Sequence, residues 1–304
     1  MNILEKTIEK IDHIQRKHRP LAFSYAVIKK FGEDEAGYQA ALLTYYAYLA
    51  LFPLLLVLTT LVATVADGHP KLQEDVIRSV TDYFPVLGSQ LSSHIHTLHK
   101  NGIALVIGLL LTIYGTRGVA DAFRHGVQNI WHVPKTQRDG FPKSTLKSLC
   151  LIIIGAFGFL LASVSAGLAA AAGHGWLFRL LSIAVNIVIL YWLYALMLYI
   201  SLRRHVPIKS IRSGAVVAAL GLVILQALGG YLLTRELKSL DALYSYFAIS
   251  LGLLFWIYLQ AQVLFYAIEI SSVSAKKYWP RSLTGKNLTI ADHKAKLLAE
   301  VPKD

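Results

Sequence analysis

Residues 41–65, ALLTYYAYLALFPLLLVLTTLVATV, form a stretch of 25 residues without a single charged side chain. A helix needs about 20 mostly apolar residues to cross the hydrocarbon core of a membrane, at about 1.5 Å of rise per residue. Helices of soluble proteins carry polar residues along one face, whereas this stretch and five later blocks carry almost none. We therefore predict an all-α fold, a polytopic transmembrane bundle of about six helices. The predicted spans are about 37–66, 102–123, 146–172, 177–202, 212–234 and 242–272.

The composition supports a membrane protein and leaves little room for other classes. Only 16% of the 304 residues are charged, and the mean hydropathy is +0.50, whereas soluble proteins carry about 25% charged residues. The single cysteine, Cys150, excludes an internal disulfide and a cysteine-rich metal site. The first 20 residues are charged throughout and lack the apolar region of a cleaved signal peptide.

The net charge of +12 reflects where the basic residues lie relative to the predicted spans. Four segments hold 24 of the 30 lysines and arginines: the residues before 36, then 117–147, 203–212 and 276–303. Six spans place all four segments on one side, and loops rich in Lys and Arg face the cytoplasm. We predict cytoplasmic N- and C-termini and contact with membrane lipids through anionic headgroups, and we do not predict nucleic-acid binding.

The predicted organisation has three parts. Residues 1–35 form a cytoplasmic N-terminal segment whose stretch 20–31 suits a short interfacial helix. Residues 36–274 form the membrane domain, including an outer segment, 71–100, read as two short amphipathic helices. Residues 275–304 form a polar cytoplasmic tail, which we expect to be weakly structured.

Several segments resemble the YihY/BrkB family of membrane proteins. AALLTYYAYLALFPLLLVL resembles its first span, and YGTRGVADAFRHGVQNIW resembles its Arg-Gly segment that ends in an Asn-aromatic pair, here Asn129. VPIKSIRSGAVVAAL and LYSYFAISLGLLFWIYLQAQVLFYAIEIS resemble its fifth-span entry and its last span. The resemblance covers about residues 36–275 and implies a multi-pass protein of the bacterial inner membrane, in a family whose molecular function is poorly settled.

Pro53 lies in the middle of the first predicted span. It cannot donate a helical hydrogen bond and clashes with the carbonyl of Leu49, which predicts a kink. Tyr45 and Phe52 lie near the same face of this span. Two interpretations remain open: a static kink that shapes packing, or a hinge or wall of an internal cavity.

Arg117 and Glu269 are ionisable groups in the inner third of the predicted membrane domain. Arg117 lies about 22 Å along the second span, and Glu269 lies near the cytoplasmic end of the sixth. Charged groups at such depth usually face the bundle interior or water. We hypothesise that they pair and gate a cytoplasm-facing cavity. Arg117 has two alternatives, which are snorkelling to the headgroups and pairing with Asp121 four residues on.

Other polar and small residues within spans have a simpler explanation. Asn186 and Gln260 suit hydrogen bonds between helices, and Asn129 is a candidate accessory polar residue. A small-residue stripe on the third span and Gly214, Ala218 and Gly221 on the fifth predict close helix contacts. Such stripes also serve dimers, so homo-oligomerisation is left open.

The run HIHTLH, residues 94–99, is the one pattern that raises metal chemistry. Hydrolases of the metallo-β-lactamase type use a His-x-His-x-Asp-His run, but Leu98 stands at the position of the required Asp. We therefore predict no catalytic metal site, no cofactor and no enzyme activity, although the resembled family was once labelled as ribonucleases. Adventitious binding of zinc or copper by this run is the more plausible alternative.

Two functional hypotheses remain. The first is transport of a lipid, amphiphile or envelope precursor through a cavity between helices, gated near Arg117 and Glu269. The second is a scaffold without transport activity that organises envelope assembly through the outer segment 71–100. A nuclease ranks last.

Overall fold

The computed structural model describes residues 3–65, 102–171, 176–202, 206–236, 242–283 and 288–299. Within these ranges the chain is entirely helical, which confirms the predicted fold class. The helices are listed in chain order: α1 (Ile3–Lys17), α2 (Arg19–Glu33), α3 (Ala36–Val65), α4 (Gly102–Ile130), α5 (Lys143–Ala171), α6 (Trp176–Leu202), α7 (Ile208–Glu236), α8 (Ala242–Lys276) and α9 (Ile290–Ala299). A 3₁₀ turn, Lys135–Gln137, lies between α4 and α5.

The six long helices, α3 to α8, form a closed ring. Each helix packs on the next in chain order, and α8 closes the ring by packing on α3. Over the described residues, four of them are long and apolar enough to cross a membrane: Val106–Ile130, Trp176–Leu202, Ile208–Gly229 and Ser250–Lys276. Their outward faces carry large apolar side chains that are more than half exposed, such as Leu110, Trp192 and Ile224. A ring of this kind suits an apolar solvent around it.

The best-packed part of the described bundle lies at the end where α4, α6 and α8 finish and α7 begins, which we call the basic end. Hydrogen bonds join the helix termini there, from Gln128 Nε2 to the carbonyl of Ser201 at 3.2 Å and from Ser271 Oγ to the carbonyl of Ser210 at 2.6 Å. Lys276 Nζ donates to the carbonyl of Trp131 at 2.8 Å. The buried apolar residues of this end include Leu43, Phe123, Val127, Ile130, Leu202, Ile211, Phe265 and Ile268.

Pro53 lies inside α3, which continues as one helix to Val65. Three residues earlier, at Ala50, α3 lies close to Gly115 of α4. A Cβ at Gly115 would lie 3.2 Å from both the Cα and the Cβ of Ala50. The missing side chain therefore lets the two helices meet closely just before the proline.

The described parts of the tail after α8, residues 277–283 and 288–299, pack against α1 and α2, which differs from the weak structure expected there. Arg281 and Asp292 are 2% and 1% exposed, and Arg281 Nη2 also reaches Glu33 Oε1 at 2.6 Å. The main-chain N–H of Leu283 donates to Asp12 Oδ1 at 3.0 Å. The tail folds back onto α1 and α2 because its charged side chains find buried partners there. The outer segment 71–100 lies outside the described residues.

Candidate functional site

Three chain reversals meet at the basic end, and each uses a residue in the left-handed backbone conformation. Glu35, His132 and Lys277 have φ angles of 54°, 54° and 55°. At the end of a helix this conformation is usually adopted by glycine, because other residues adopt it at a cost in conformational free energy. After α4, the N–H groups of His132 and Val133 return to the carbonyls of Asn129 and Gln128, both at 2.9 Å. These bonds hold the Trp131–His132 turn against the ends of α2 and α8.

Lys30, Asp34 and His132 form the first part of the site. Lys30, 2% exposed, pairs with Asp34, and His132 Nε2 lies 3.3 Å from Asp34 Oδ1 and 3.4 Å from Lys30 Nζ. His132 Nδ1 lies 3.0 Å from the carbonyl of Ile130, so each ring nitrogen has an oxygen acceptor within reach, and a ring that donates from both nitrogens carries a positive charge. Burial raises the pKa of Asp34, but the hydrogen bond with His132 and the Lys30 charge outweigh burial and lower it.

Glu269 is the least satisfied polar group of the site. Its side chain is 0% exposed, and neither carboxyl oxygen accepts a hydrogen bond from any described residue. It interacts electrostatically with Asp34, Lys30 and Lys276, and its carboxyl group lies within hydrogen-bonding reach of Asp34, whose Oδ2 likewise has no donor among the described residues. Two carboxylates cannot hydrogen-bond to each other unless one carries a proton. The arrangement can therefore hold a shared proton or accept donors from a bound molecule.

Lys276 and two aromatic residues form the other side of the site. The Lys276 ammonium lies 5.4 Å from the ring centre of Trp131 and 5.7 Å from that of Tyr278, within cation–π range. Tyr278 is fully buried, and burial, with a smaller contribution from the Asp34 carboxylate, raises its pKa to about 12. The Tyr278 hydroxyl and the Trp131 Nε1 have no hydrogen-bond partner within the described part of the chain.

A half-open cleft of about 380 Å³ lies directly beside this cluster. It is lined by Trp131, His132, Val133, Pro134, Gln137, Val206, Pro207, Ser210, Ala275 and Lys276. The lining comes from the turn after α4, the approach to α7 and the end of α8. Lys276 and His132 belong both to the cleft wall and to the charged cluster, so the two features form one site.

The structure does not bring Arg117 and Glu269 together, which corrects the hypothesised pair. Arg117 is 50% exposed, and its Nε lies 3.6 Å from Asp121 Oδ2, the alternative within its own helix. Arg117 Nη2 also lies 3.4 Å from Thr145 Oγ1 on α5. The buried arginine of this helix is Arg124, which reaches Asp121 at 3.1 Å and also bonds to Ser144. Arg117 thus faces α5, whereas Glu269 faces α2.

The other predicted site residues lie apart from the cluster. Tyr45 is 56% exposed and packs edge-on against Tyr46, and Pro53 is partly buried. The side chain of Phe52 lies outside the described part of the structure. Their assignment to a cavity wall stays a prediction.

Four accessory polar residues were also predicted, and one of them, Asp121, pairs with Arg117 and Arg124. Asn129 Oδ1 accepts a hydrogen bond from Arg138 Nη2 at 2.7 Å, which anchors the loop after α4. Asn186 Oδ1 is buried without a partner on α6, and Gln260 is partly buried on α8. Asn129 is thus the one that braces the turn of the candidate site.

Sequence reasoning missed four members of the site: Lys30, Asp34, His132 and Lys276. The first two are spaced four residues apart, but α2 ends between them, so a simple surface pair was the natural expectation. His132 and Lys276 each follow a span and look like ordinary loop residues. Only the packing of three helix ends shows that they share one buried space with Glu269.

Metal binding can be considered only for the described residues. Within them, no group of three or more His, Cys, Asp or Glu side chains could hold a metal ion. His94, His96 and His99 of the HIHTLH run lie outside the described residues, so that prediction remains open.

The long apolar helices and their ring define a polytopic helical membrane protein. Its residues 27–287 match the family model described as Virulence factor BrkB, and the chain belongs to that family. The resemblance predicted from the spans is thereby confirmed.

A UPF0761 membrane protein of Psychrobacter sp. (strain PRwf-1) is similar to this chain. The two are 26% identical over 285 residues, which cover 88% of this chain and 51% of the relative. The chain therefore spans about half the length of this curated relative. No solved structure matches the chain.

Proposed function

We propose that this protein is a transport-type protein of the bacterial inner membrane, with Lys30, Asp34, His132, Glu269 and Lys276 at its working centre. The observation that carries the proposal is Glu269, which is fully buried in a spanning helix with no hydrogen-bond donor to either oxygen. An ionisable group within a membrane span is costly and usually marks a path for a substrate or ion. The cargo would be a lipid, an amphiphile or an envelope precursor.

The proposed orientation places the basic end in the cytoplasm, with both termini on that side. The support is the charge distribution, since 24 of the 30 lysines and arginines lie in the segments assigned to that side. On α2, Leu21 and Ile28 are 52% and 61% exposed, which suits an interfacial helix whose other face packs on α8 and α3. The charged cluster would then open to the cytoplasm through the cleft.

The proposed mechanism uses the shared position of Lys276. In the described conformation its ammonium is held by the Trp131 carbonyl and two aromatic rings, near Glu269 but without a hydrogen bond to it. Cargo entering the cleft, or a proton moving between Glu269 and Asp34, would change the charge next to Lys276. A lysine with alternative partners can couple such an event to a rearrangement of the helix ends.

The test is transbilayer movement of fluorescent phospholipid in liposomes that contain the purified full-length protein. Wild type would be compared with Glu269→Gln, which keeps the shape of the side chain, with and without a proton gradient. Glu9→Gln, on the exposed surface of α1, is the matched control.

We expect movement to fall at least tenfold in Glu269→Gln and to stay unchanged in Glu9→Gln. Equal movement by wild type and Glu269→Gln would contradict the role of Glu269. An absence of movement by folded wild type would contradict lipid cargo and favour the scaffold hypothesis.

A further inference from the structure

We propose that the cleft beside Lys276 binds the phosphate group of an anionic ligand, such as a phospholipid headgroup. This inference rests on the proposed function in so far as it names the class of cargo, but it concerns binding alone and can be tested alone. Its basis is a convergence of hydrogen-bond donors on a half-open cleft at the end of the bundle where the chain is most basic.

The first argument is an unused buried donor. Trp131 lines the cleft and is only 6% exposed, and its Nε1–H, which is itself buried in the cleft wall, finds no acceptor among the described residues. Buried polar groups in native proteins almost always have a partner, so an orphaned donor indicates a missing acceptor. A phosphate offers several acceptor oxygens in a small volume, which suits a donor fixed on a rigid ring.

The second argument is charge. Lys276 lines the same cleft, and none of the ten lining residues is acidic. Its ammonium already donates to one carbonyl, the Trp131 main chain, but it carries three N–H donors. Charge-assisted hydrogen bonds from lysine to phosphate are short and strong. Gln137, from the turn after α4, and Ser210, from α7, add polar residues to the lining.

The third argument is the division of the lining into polar and apolar parts. Val133, Pro134, Val206, Pro207 and Ala275 supply apolar surface beside the donors. Small-molecule sites usually combine a mainly apolar wall with a few convergent polar groups, in volumes of about 300–1,000 Å³. A glycerophosphate headgroup with its first methylene groups matches both the mixture and the volume of about 380 Å³.

The experiment measures binding by full-length protein in an uncharged detergent, using isothermal titration calorimetry. Three probes separate the sources of a phosphate group: dihexanoyl phosphatidic acid, inorganic phosphate, and dihexanoyl phosphatidylcholine, which carries a compensating positive charge. The variants are Lys276→Gln, Trp131→Phe and, as a charge-matched control, Lys143→Gln, an exposed lysine at the same end that does not line the cleft. Lys276→Arg tests rescue by a second cation.

We expect dihexanoyl phosphatidic acid to bind wild type and to lose at least tenfold in affinity in Lys276→Gln. Trp131→Phe, which keeps an aromatic ring but removes the N–H, should bind this lipid three- to tenfold more weakly than wild type. The affinities of Lys143→Gln and Lys276→Arg should stay within twofold of the wild-type affinity. Inorganic phosphate binding as tightly as the lipid would assign the site to free phosphate, and tighter lipid binding would assign it to a headgroup.

Equal weakening in Lys276→Gln and Lys143→Gln would show attraction by surface charge only and would overturn the proposal. Tighter binding of the phosphatidylcholine than of the phosphatidic acid would also overturn it. Glu269→Gln separates this inference from the transport proposal, because it should stop lipid movement without weakening phosphate binding, since it removes a negative charge near Lys276. Binding without movement would leave the site standing and the transport function rejected.

Discussion

Arg281 and Asp292 form an ion pair of 2.6 Å between Nε and Oδ1, with side chains only 3% and 2% exposed. The same arginine reaches Glu33 at the end of α2, and Lys29 Nζ lies 3.2 Å from Asp292. One buried carboxylate therefore ties the C-terminal tail to the helix that carries Lys30 and precedes Asp34. These ion pairs therefore hold in place the end of α2, which contributes Lys30 to the candidate site.

Substitution of Asp292 by asparagine should release the tail. Removing one partner of a buried ion pair costs about 3–5 kcal/mol, and because Glu33 remains paired with Arg281 we expect the lower part of that range here. Hydrogen exchange measured by mass spectrometry should show faster exchange over residues 278–299 in Asp292→Asn. Glu9→Gln, which removes an exposed carboxylate of α1, should leave that exchange unchanged. Equal protection in the two variants would mean that the pair does not hold the tail.

Acid should weaken the same contact. Burial raises the pKa of Asp292, but hydrogen bonds from the N–H groups of Thr289 and Ser282, from the Thr289 hydroxyl and from Arg281 outweigh burial and hold it well below its ordinary value. A carboxyl with a depressed pKa stabilises the folded state fully above the ordinary value of about 3.9, and that contribution is lost as the pH falls towards the lower folded pKa. Tail docking should therefore be constant near neutral pH and weaken below about pH 4.

Limited proteolysis with an acid-tolerant protease can follow this transition. Cleavage within the tail should increase below about pH 4 in wild type, whereas Asp292→Asn should be cleaved readily at every pH. A wild-type tail that stays equally protected from neutral pH down to about pH 2 would contradict the prediction.

Gly214 should not tolerate a side chain. A Cβ there would lie 2.7 Å from the carbonyl oxygen of Ala267 and 2.8 Å from the Cβ of Ser271, so α7 and α8 would have to separate. Overpacking of this kind costs about 1–3 kcal/mol. The melting temperature in detergent should be lower than that of wild type for Gly214→Ala. It should be unchanged or slightly higher for Gly155→Ala, since a Cβ at Gly155 meets nothing within 4 Å. Equal melting of the two variants would refute the close contact.

Arg124 should matter more for stability than Arg117, although the two lie seven residues apart on α4. Arg124 is 2% exposed and bonds to Asp121 and Ser144, whereas Arg117 is half exposed with a longer contact to Asp121. Loss of the buried group should cost about 3 kcal/mol or more, and loss of the exposed group about 1 kcal/mol or less. Thermal stability of Arg124→Ala and Arg117→Ala compares them directly, and a larger loss at Arg117 would reverse this assignment.

The helical fold could be predicted from the sequence because long, mostly apolar stretches with almost no charged residues allow few structures. Stretches such as 177–202 and 242–272 leave no polar face for water, and each lies within a single helix of the structure. The close helix contact of the fifth span could also be predicted from the sequence. Gly214 and Gly221 lie against α8, and Ala218 is buried. Hydrophobic periodicity and residue size are local properties of the sequence, and in these elements they determine the helices and their close contacts directly.

The candidate site was only partly predictable, because it depends on contacts between helix ends. Glu269 could be selected by its depth in a span, but its neighbours could not be. Arg117 was chosen as its partner by depth alone, and depth does not tell which side of a helix a residue faces. Asp34 and His132 lie 98 residues apart in the sequence and meet through a 3.3 Å contact that no local pattern reports. The packing of the tail was missed for the same reason, since its buried partners lie in α1 and α2.

The left-handed residues Glu35, His132 and Lys277 also restrict how this protein can change over evolutionary time. Each must hold a φ angle near +55° for its chain reversal to bring the end of α2, α4 or α8 to the charged cluster. β-Branched residues and proline are excluded from that conformation, whereas glycine and asparagine enter it easily. A saturation library should therefore be depleted of Val, Ile, Thr and Pro at these three positions and retain Gly and Asn, including at Lys277, whose side chain is exposed. Selection there acts on backbone conformation before it acts on side-chain chemistry.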